Sequence, residues 1–277
     1  MEDKDFLSFL EEMETAFDEA IIGSPIEQFK NGNTEEILAS DSKTKEKYIE
    51  IKEAQGRLEE KLSQYKGKLS ELDKISESIV RWEKATGGEV IYRGFYNPSL
   101  TADIVIGNNK RGKLLKRPTS KSKITYEYGF DSSDRMVKVI THTEFDDLLE
   151  FFIYEGDTVF AVGYDKGEIF SACEEKHKEG KLESFTLAYS YGDEGVSTVQ
   201  HECFDYNDNG HLKESEMLEI SVMTFKKNKP ETVRHWGYEY LSDSEGYLKK
   251  YRMTFDYPNE YASDDNDWYD VACTRKI

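Results

Sequence analysis

Past Gly87-Gly88 the apolar residues of this chain fall on alternate positions, and Gly or Asp interrupts the alternation again and again. Ile124-Thr125-Tyr126-Glu127-Tyr128, Phe185-Thr186-Leu187-Ala188-Tyr189 and Tyr238-Glu239-Tyr240 have the period of two that marks strands. Between such stretches a short signature recurs: Gly or Asp, one further residue, then an aliphatic or Met. It reads Asp134-Arg135-Met136, Gly167-Glu168-Ile169, Gly180-Lys181-Leu182, Gly210-His211-Leu212 and Gly246-Tyr247-Leu248, and Gly195 opens another turn. Gly and Asp take the positive-φ position of a tight hairpin at little cost, and the residue two further on returns to the inward face of the next strand. Successive hairpins of this kind predict a twisted, largely antiparallel sheet that needs cover on at least one face. Tyr92, Phe95 and Tyr96 are read as the start of this β-rich region.

Upstream of Gly87 the period is helical. Phe6, Phe9, Leu10, Met13, Phe17, Ala20 and Ile21 form one apolar stripe, and Gly23-Ser24-Pro25 ends it. From residue 44 to residue 84 there is no Pro. Ile51, Leu58, Tyr65, Leu72 and Ile79 stand seven apart, with Gln55, Leu62, Leu69 and Ser76 between them, as in a heptad seam. Gly56 and Gly67 each cost about 1 kcal/mol of helix propensity, so such a helix needs packing to persist. The expected fold is α+β: an N-terminal helical hairpin of coiled-coil-like helices over residues 1–87, and a large antiparallel β-hairpin meander over 88–277. In a second reading the heptad helix is an arm that joins two copies of the chain.

Charge narrows the function. Asp and Glu number 56 against 37 Lys and Arg, a net −19 in 277 residues, which disfavours polyanionic partners such as nucleic acid or an acidic membrane. The 18 Tyr and 15 Phe separate the chain from acidic disordered proteins. No apolar run reaches membrane-spanning length, the first residues lack the pattern of a signal peptide, and Cys173, Cys203 and Cys273 form neither a disulfide framework nor a Cys-x-x-Cys clip. A reduced, cytoplasmic protein is expected, and no motif calls for a cofactor.

Three copies of the hairpin signature extend upstream as Tyr-x-Tyr or its like: 126–136, 238–248 and, with one extra residue, 201–212. This pattern resembles the YD (RHS-type) repeat, although Gly129 and Leu241 stand where that family has a second Asp. The resemblance lies within 124–257, covers none of residues 1–90, and implies β-hairpins. The hairpin-rich texture is also similar to bacterial polymorphic-toxin immunity proteins, which are small, acidic and cytoplasmic. That similarity implies a non-catalytic protein that occludes a basic toxin domain.

Four clusters are candidate sites. Asp205-x-Asn207-x-Asn209-Gly210, followed by Glu216, fits an EF-hand calcium loop. Its flanks alternate as strands do, so the preferred reading is a β-turn, with a weak calcium turn as the alternative. Lys110, Arg111, Lys113, Lys116, Arg117, Lys121 and Lys123 form a basic stretch without acids, read as a solvated loop or an anion contact. Asp264, Asp265, Asp267 and Asp270 accompany Trp268 and Tyr269, read as a polar C-terminal loop whose aromatics pack on the sheet or as an interface with a cationic protein. His201 and Cys203 share a strand face, yet that spacing alone is judged insufficient for a nucleophile–base relay. His201 and His235 meet only if their strands pair suitably.

These features predict a non-catalytic module that binds a basic protein, such as an immunity protein on its toxin. The alternatives are a scaffold that dimerises through its heptad helix and an enzyme with its site at the helix–sheet junction.

Overall fold

The structure is a computed structural model that describes residues 34–88, 92–105, 111–190, 196–222, 231–257 and 267–270. The helix expected over residues 1–22 lies outside them. The described helices are α1 (Thr34–Ser40), α2 (Ser42–Tyr65), α3 (Leu69–Leu72) and α4 (Leu100–Val105). The strands are β1 (Arg81–Thr86), β2 (Lys113–Leu114), β3 (Tyr126–Phe130), β4 (Met136–His142), β5 (Asp147–Glu155), β6 (Thr158–Asp165) and β7 (Glu168–Lys178). They continue through β8 (Lys181–Ser190), β9 (Val196–Tyr206), β10 (Leu212–Val222), β11 (Glu231–Ser242) and β12 (Leu248–Tyr257) to β13 (Tyr269–Asp270). All 13 belong to one antiparallel sheet. From β3 to β13 the spatial order follows the chain, while β1 sits beside β3 and carries β2 on its outer edge.

Five of the hairpin turns fall where the sequence signature put them, while Gly195 lies outside the described residues. Asp134, Gly167, Gly180, Gly210 and Gly246 all have positive φ, and β4, β7, β8, β10 and β12 begin one or two residues later. Lys166-Gly167 and Glu179-Gly180 are two-residue loops with both φ values positive, the geometry that matches strand twist.

The three fuller copies share a further device. The side-chain Oδ1 of Asp131, Asn207 and Asp243, each three residues before the positive-φ residue, accepts two backbone N–H groups of its own turn. In each copy that residue also exchanges backbone bonds across the loop, as in Asp243 N to Tyr247 O and Gly246 N to Asp243 O. An Asx side chain thus stands in for a partner that a strand end would leave missing.

The expected helical hairpin or coiled coil is corrected. Among the described residues one long helix, α2, lies on the sheet. Its seam residues Ile51, Leu58 and Leu62 are buried against Phe160, Val162, Ala172, Ala188, Val199 and Leu218. A heptad stripe and a sheet-facing stripe look alike in sequence, because both need one apolar face. The helix also stops short of residue 84. Lys66 leaves helical geometry, Gly67 takes φ +70°, and after α3 and a 3-10 turn (Asp73–Ser78) the chain enters β1. Ile79, the last heptad position, packs over Gly129, where an added Cβ would lie 2.6 Å from its Cδ1.

The opposite face is covered by residues 92–105. The segment read as the start of a β-rich region is instead a 3-10 turn (Gly94–Tyr96) followed by α4. Tyr92, Phe95 and Tyr96 lie over Tyr126, Tyr128, Phe130 and Phe185, and Leu100 and Ile104 over Trp236, Tyr238 and Tyr240. The sheet is therefore the middle layer, and the Tyr-x-Tyr pairs of the repeat face this second cover. No described helix is long and apolar enough to cross a membrane.

Candidate functional site at the helix–sheet junction

The N-terminal half of α2 crosses the strands β8 to β12. Asp41 caps the helix by accepting from the amides of Lys43 and Thr44, which fixes where the first turn lies. The Thr44 hydroxyl donates back to Asp41, which, with these amide bonds, holds the Asp41 carboxyl below the usual range. Thr44 Oγ1 also lies 2.6 Å from Nδ1 of buried His235, whose Nε2 is 2.6 Å from Glu216 Oε1. Asp41, Thr44, His235 and Glu216 thus link the helix cap to β10 and β11.

One turn along, Lys47 and Glu50 reach the sheet beside Cys203 and His201. His201 Nε2 is 3.3 Å from Cys203 Sγ, and its Nδ1 is 2.7 Å from Thr186 Oγ1 on β8. Lys47 Nζ lies 2.8 Å from Glu50 Oε2 and 3.5 Å from Cys203 Sγ. The sequence reading puts His201 and Cys203 on one strand face, and their side chains stand within hydrogen-bond reach of each other. It missed Lys47 and Glu50, which come from a different element. The signal for them was present, since the spacing 47, 50/51, 54, 58 puts both at the margin of the buried helical stripe.

The protonation states decide what this trio can do. Burial, reinforced by the Lys47 charge, lowers the His201 imidazole to about 4, and burial pushes the Cys203 thiol up. A nucleophilic cysteine needs the reverse, a depressed thiol pKa beside a cationic imidazole. At neutral pH the pair is a neutral thiol beside a neutral imidazole, which suits ligation or packing rather than covalent catalysis. Burial also works against the Lys47 ammonium, yet Glu50 and Cys203 hold its pKa above the ordinary lysine value.

Beside this trio opens a cleft of about 400 Å³. It is lined by Asp205, Glu214, Glu216 and Glu239, with Lys43 the lining base, and by Phe255. The register explains the grouping: Cys203, Glu216, Gly237 and Phe255 form one cross-strand row, and Asp205, Glu214 and Glu239 the next. Exposed Lys213 pairs with Glu214, and Arg252 with Glu239. Arg252 also lies 5.0 Å from the Trp268 ring centre, joining the cleft to the sheet edge.

The other predicted residues are placed as follows. His201 and His235 each stand opposite Leu218, on either side of β10, and hold different partners. Asn207 uses its carbonyl oxygen inside its turn, Glu216 contacts His235 and Lys43, and strands flank the loop on both sides. Asp267, Tyr269 and Asp270 are exposed, and β13 is an edge strand. Tyr269 stacks on Tyr251, and Asp270 lies 3.5 Å from Lys250. Asp264, Asp265 and Lys110 lie outside the described residues, whereas Asn209 is in the turn and donates its amide to Asn207 Oδ1. In the basic stretch, Lys113, Lys116, Arg117, Lys121 and Lys123 are exposed, whereas Arg111 is buried and donates to the backbone oxygens of Asn97 and Ser99.

No protein-family description matches this chain, and no curated protein does. Among solved structures it is similar to a chain of the crystal structure of TcdB2-TccC3-Cdc42, over 62% of this chain and 10% of that one, at 10% identity and a TM-score of 0.18. It is also similar to the S. aureus TarM G117R mutant in complex with fondaparinux, alpha-GlcNAc-glycerol and UDP, over 73% of this chain and 27% of that one, at 9% identity and a TM-score of 0.15. The chain thus spans a small part of each. Scores this low carry no argument about fold, activity or partner, and the site is read from its own residues.

Proposed function

We propose that this chain is a non-catalytic module that binds a basic protein. The partner class follows from the similarity to immunity proteins: a basic toxin domain. One observation supports the reading above the others. Arg252 pairs with Glu239 of the cleft and lies over the ring of Trp268 beside the exposed acidic-aromatic edge strand, which puts the cleft's carboxylates next to that edge. A net charge of −19 steers a cationic partner toward such a surface, and aromatic groups with polar rims supply anchors. The exposed Lys43 and Lys213 are the cations that an incoming Lys or Arg would exchange with.

The test is calorimetric titration with a basic toxin domain encoded by the neighbouring reading frame. Association that weakens steeply with salt, and that Trp268→Ala reduces by about 2 kcal/mol or more, is the expected result. Absence of binding, or binding indifferent to both Trp268→Ala and Asp205→Lys, overturns it.

A further inference from the structure

We propose that Glu50, His201 and Cys203 form a site for one divalent cation of the zinc class, clasping α2 to β9. These side chains offer a carboxylate oxygen, an imidazole nitrogen and a sulfur, all within 4.8 Å of one another. Zinc takes this donor set, three protein ligands with a fourth position left for water. Tetrahedral bonds of about 2.0–2.3 Å place neighbouring ligand atoms about 3.3–3.6 Å apart. Here Nε2 to Sγ is 3.3 Å and Nε2 to Glu50 Oε2 is 4.0 Å. A small rotation of the half-exposed Glu50 side chain closes the remaining gap.

Two further features favour a cation at this place. Thr186 holds His201 Nδ1, so Nε2 is the nitrogen turned toward the other ligands, an orienting contact that metal-binding histidines commonly have. A cation already stands there: the Lys47 ammonium contacts both Glu50 and Cys203. Lys47 is therefore a built-in competitor. Binding displaces its ammonium toward solvent, and the Cys203 S–H bond breaks heterolytically. Its proton goes to bulk water, while the sulfur's electron pair forms the bond to the metal. No electron is transferred. The ion would join a helix to a strand that otherwise meet through packing and single hydrogen bonds, which stabilises the folded chain by linkage.

The experiment uses the full chain after chelator treatment, titrated with Co²⁺ and then Zn²⁺. The expected result is one Co²⁺ per chain, with a sulfur-to-cobalt charge-transfer band that Zn²⁺ abolishes, and a rise in Tm on Zn²⁺ addition. Cys203→Ser removes the band, and His201→Ala weakens binding at least about tenfold. Lys47→Ala, which deletes the competitor, tightens it, whereas Cys273→Ser leaves the band intact. Far-UV circular dichroism checks that each variant is folded; Cys203→Ser is nearly isosteric and serves if His201→Ala is not. A band that survives Cys203→Ser, or stoichiometric Zn²⁺ binding unmoved by both Cys203→Ser and Glu50→Gln, means an adventitious ion only and overturns the proposal. Failure to bind either metal does so as well. The binding of a basic protein is measured separately and does not bear on these outcomes.

Discussion

Arg93 donates to both carboxylate oxygens of Glu150, at 2.6 Å from Nε and 3.0 Å from Nη2, on the face of the sheet away from α2. The same guanidinium contacts Glu175 and the Cys173 sulfur and lies against the rings of Tyr92 and Phe152. Arg93 itself sits at φ 53°, a left-handed conformation unusual for a residue with a Cβ. The ion pair holds that kink and so places the whole covering segment 92–105.

Arg93→Met leaves buried Glu150 without its cation and takes the nearer cation from half-buried Glu175, which keeps His177 at 3.5 Å. Breaking a buried pair on one side costs about 3–5 kcal/mol, far more than the net worth of the intact pair. Urea denaturation of Arg93→Met is expected to show a loss of that size. Adding Glu150→Gln and Glu175→Gln, which removes the orphaned charges, is expected to restore part of it. A single variant as stable as the parent would mean that the covering segment is held by its aromatic rings alone.

Gly94 follows directly and is the tightest point of the cover. It has φ +52°, and a Cβ there would lie 2.3–2.7 Å from three atoms of the Tyr126 ring. Tyr126 cannot simply withdraw: its ring is buried and its hydroxyl donates to Gly88 O at 2.6 Å. Gly94→Ala is expected to cost about 1–3 kcal/mol from overpacking, with the positive φ adding to it. Tyr126→Phe combined with Gly94→Ala measures how much of the loss comes through the ring, since a ring freed from Gly88 can shift.

The Asx turns make a comparative prediction. Asp131→Ala, Asn207→Ala and Asp243→Ala each remove an acceptor of two backbone N–H groups at an equivalent turn. Each is expected to cost about 0.5–1.5 kcal/mol. Asp131 should sit at the upper end, because its Oδ2 also holds Arg135 at 2.7 Å. If the loop at Asn207 is a structural turn like its two counterparts, Asn207→Ala costs the same with and without calcium. A loss that appears only with calcium present would instead identify a metal loop.

These turns show how much of the molecule its sequence reveals. Hairpin positions are legible because positive φ is a local requirement, met at Asp134, Gly167, Gly180, Gly210 and Gly246 by residues that tolerate it. The Asx device was legible too, three residues upstream of Asp134, Gly210 and Gly246, but it is masked at Asn207 by its likeness to a calcium loop. The partner of α2 was not legible. Ile51, Leu58 and Leu62 state that one helical face is buried and say nothing of what buries it. β1 was hidden for a related reason: in Arg81-Trp82-Glu83-Lys84-Ala85-Thr86 the apolar positions are too few to break a helical pattern. The junction site needed both kinds of missing information. His201 and Cys203 were visible as a pair, whereas Glu50 and Lys47 arrive only once the helix is laid across the sheet.

Glu202 supplies the pH prediction. It is fully buried on the second face, where Ser99 Oγ, Thr101 Oγ1 and the Thr101 amide donate to its carboxylate oxygens. Burial outweighs those donors and raises its pKa to about 7. The folded carboxyl therefore keeps its proton at pH values where the unfolded one has lost it. Its contribution to stability is fully present below the unfolded value near 4.5 and is lost as pH rises through about 7. The swing across that window is roughly 3 kcal/mol. Glu202→Gln cannot ionise, so the stability of the variant relative to the parent should grow by roughly 2–3 kcal/mol between pH 5 and pH 8. Taking the difference cancels carboxylates whose pKa is lowered, such as Glu174 and Glu216, which shift stability in the opposite sense. Urea midpoints of both proteins across this range measure it. A difference that stays level with pH would show that Glu202 is ionised in the folded chain and held by Ser99 and Thr101 as an anion.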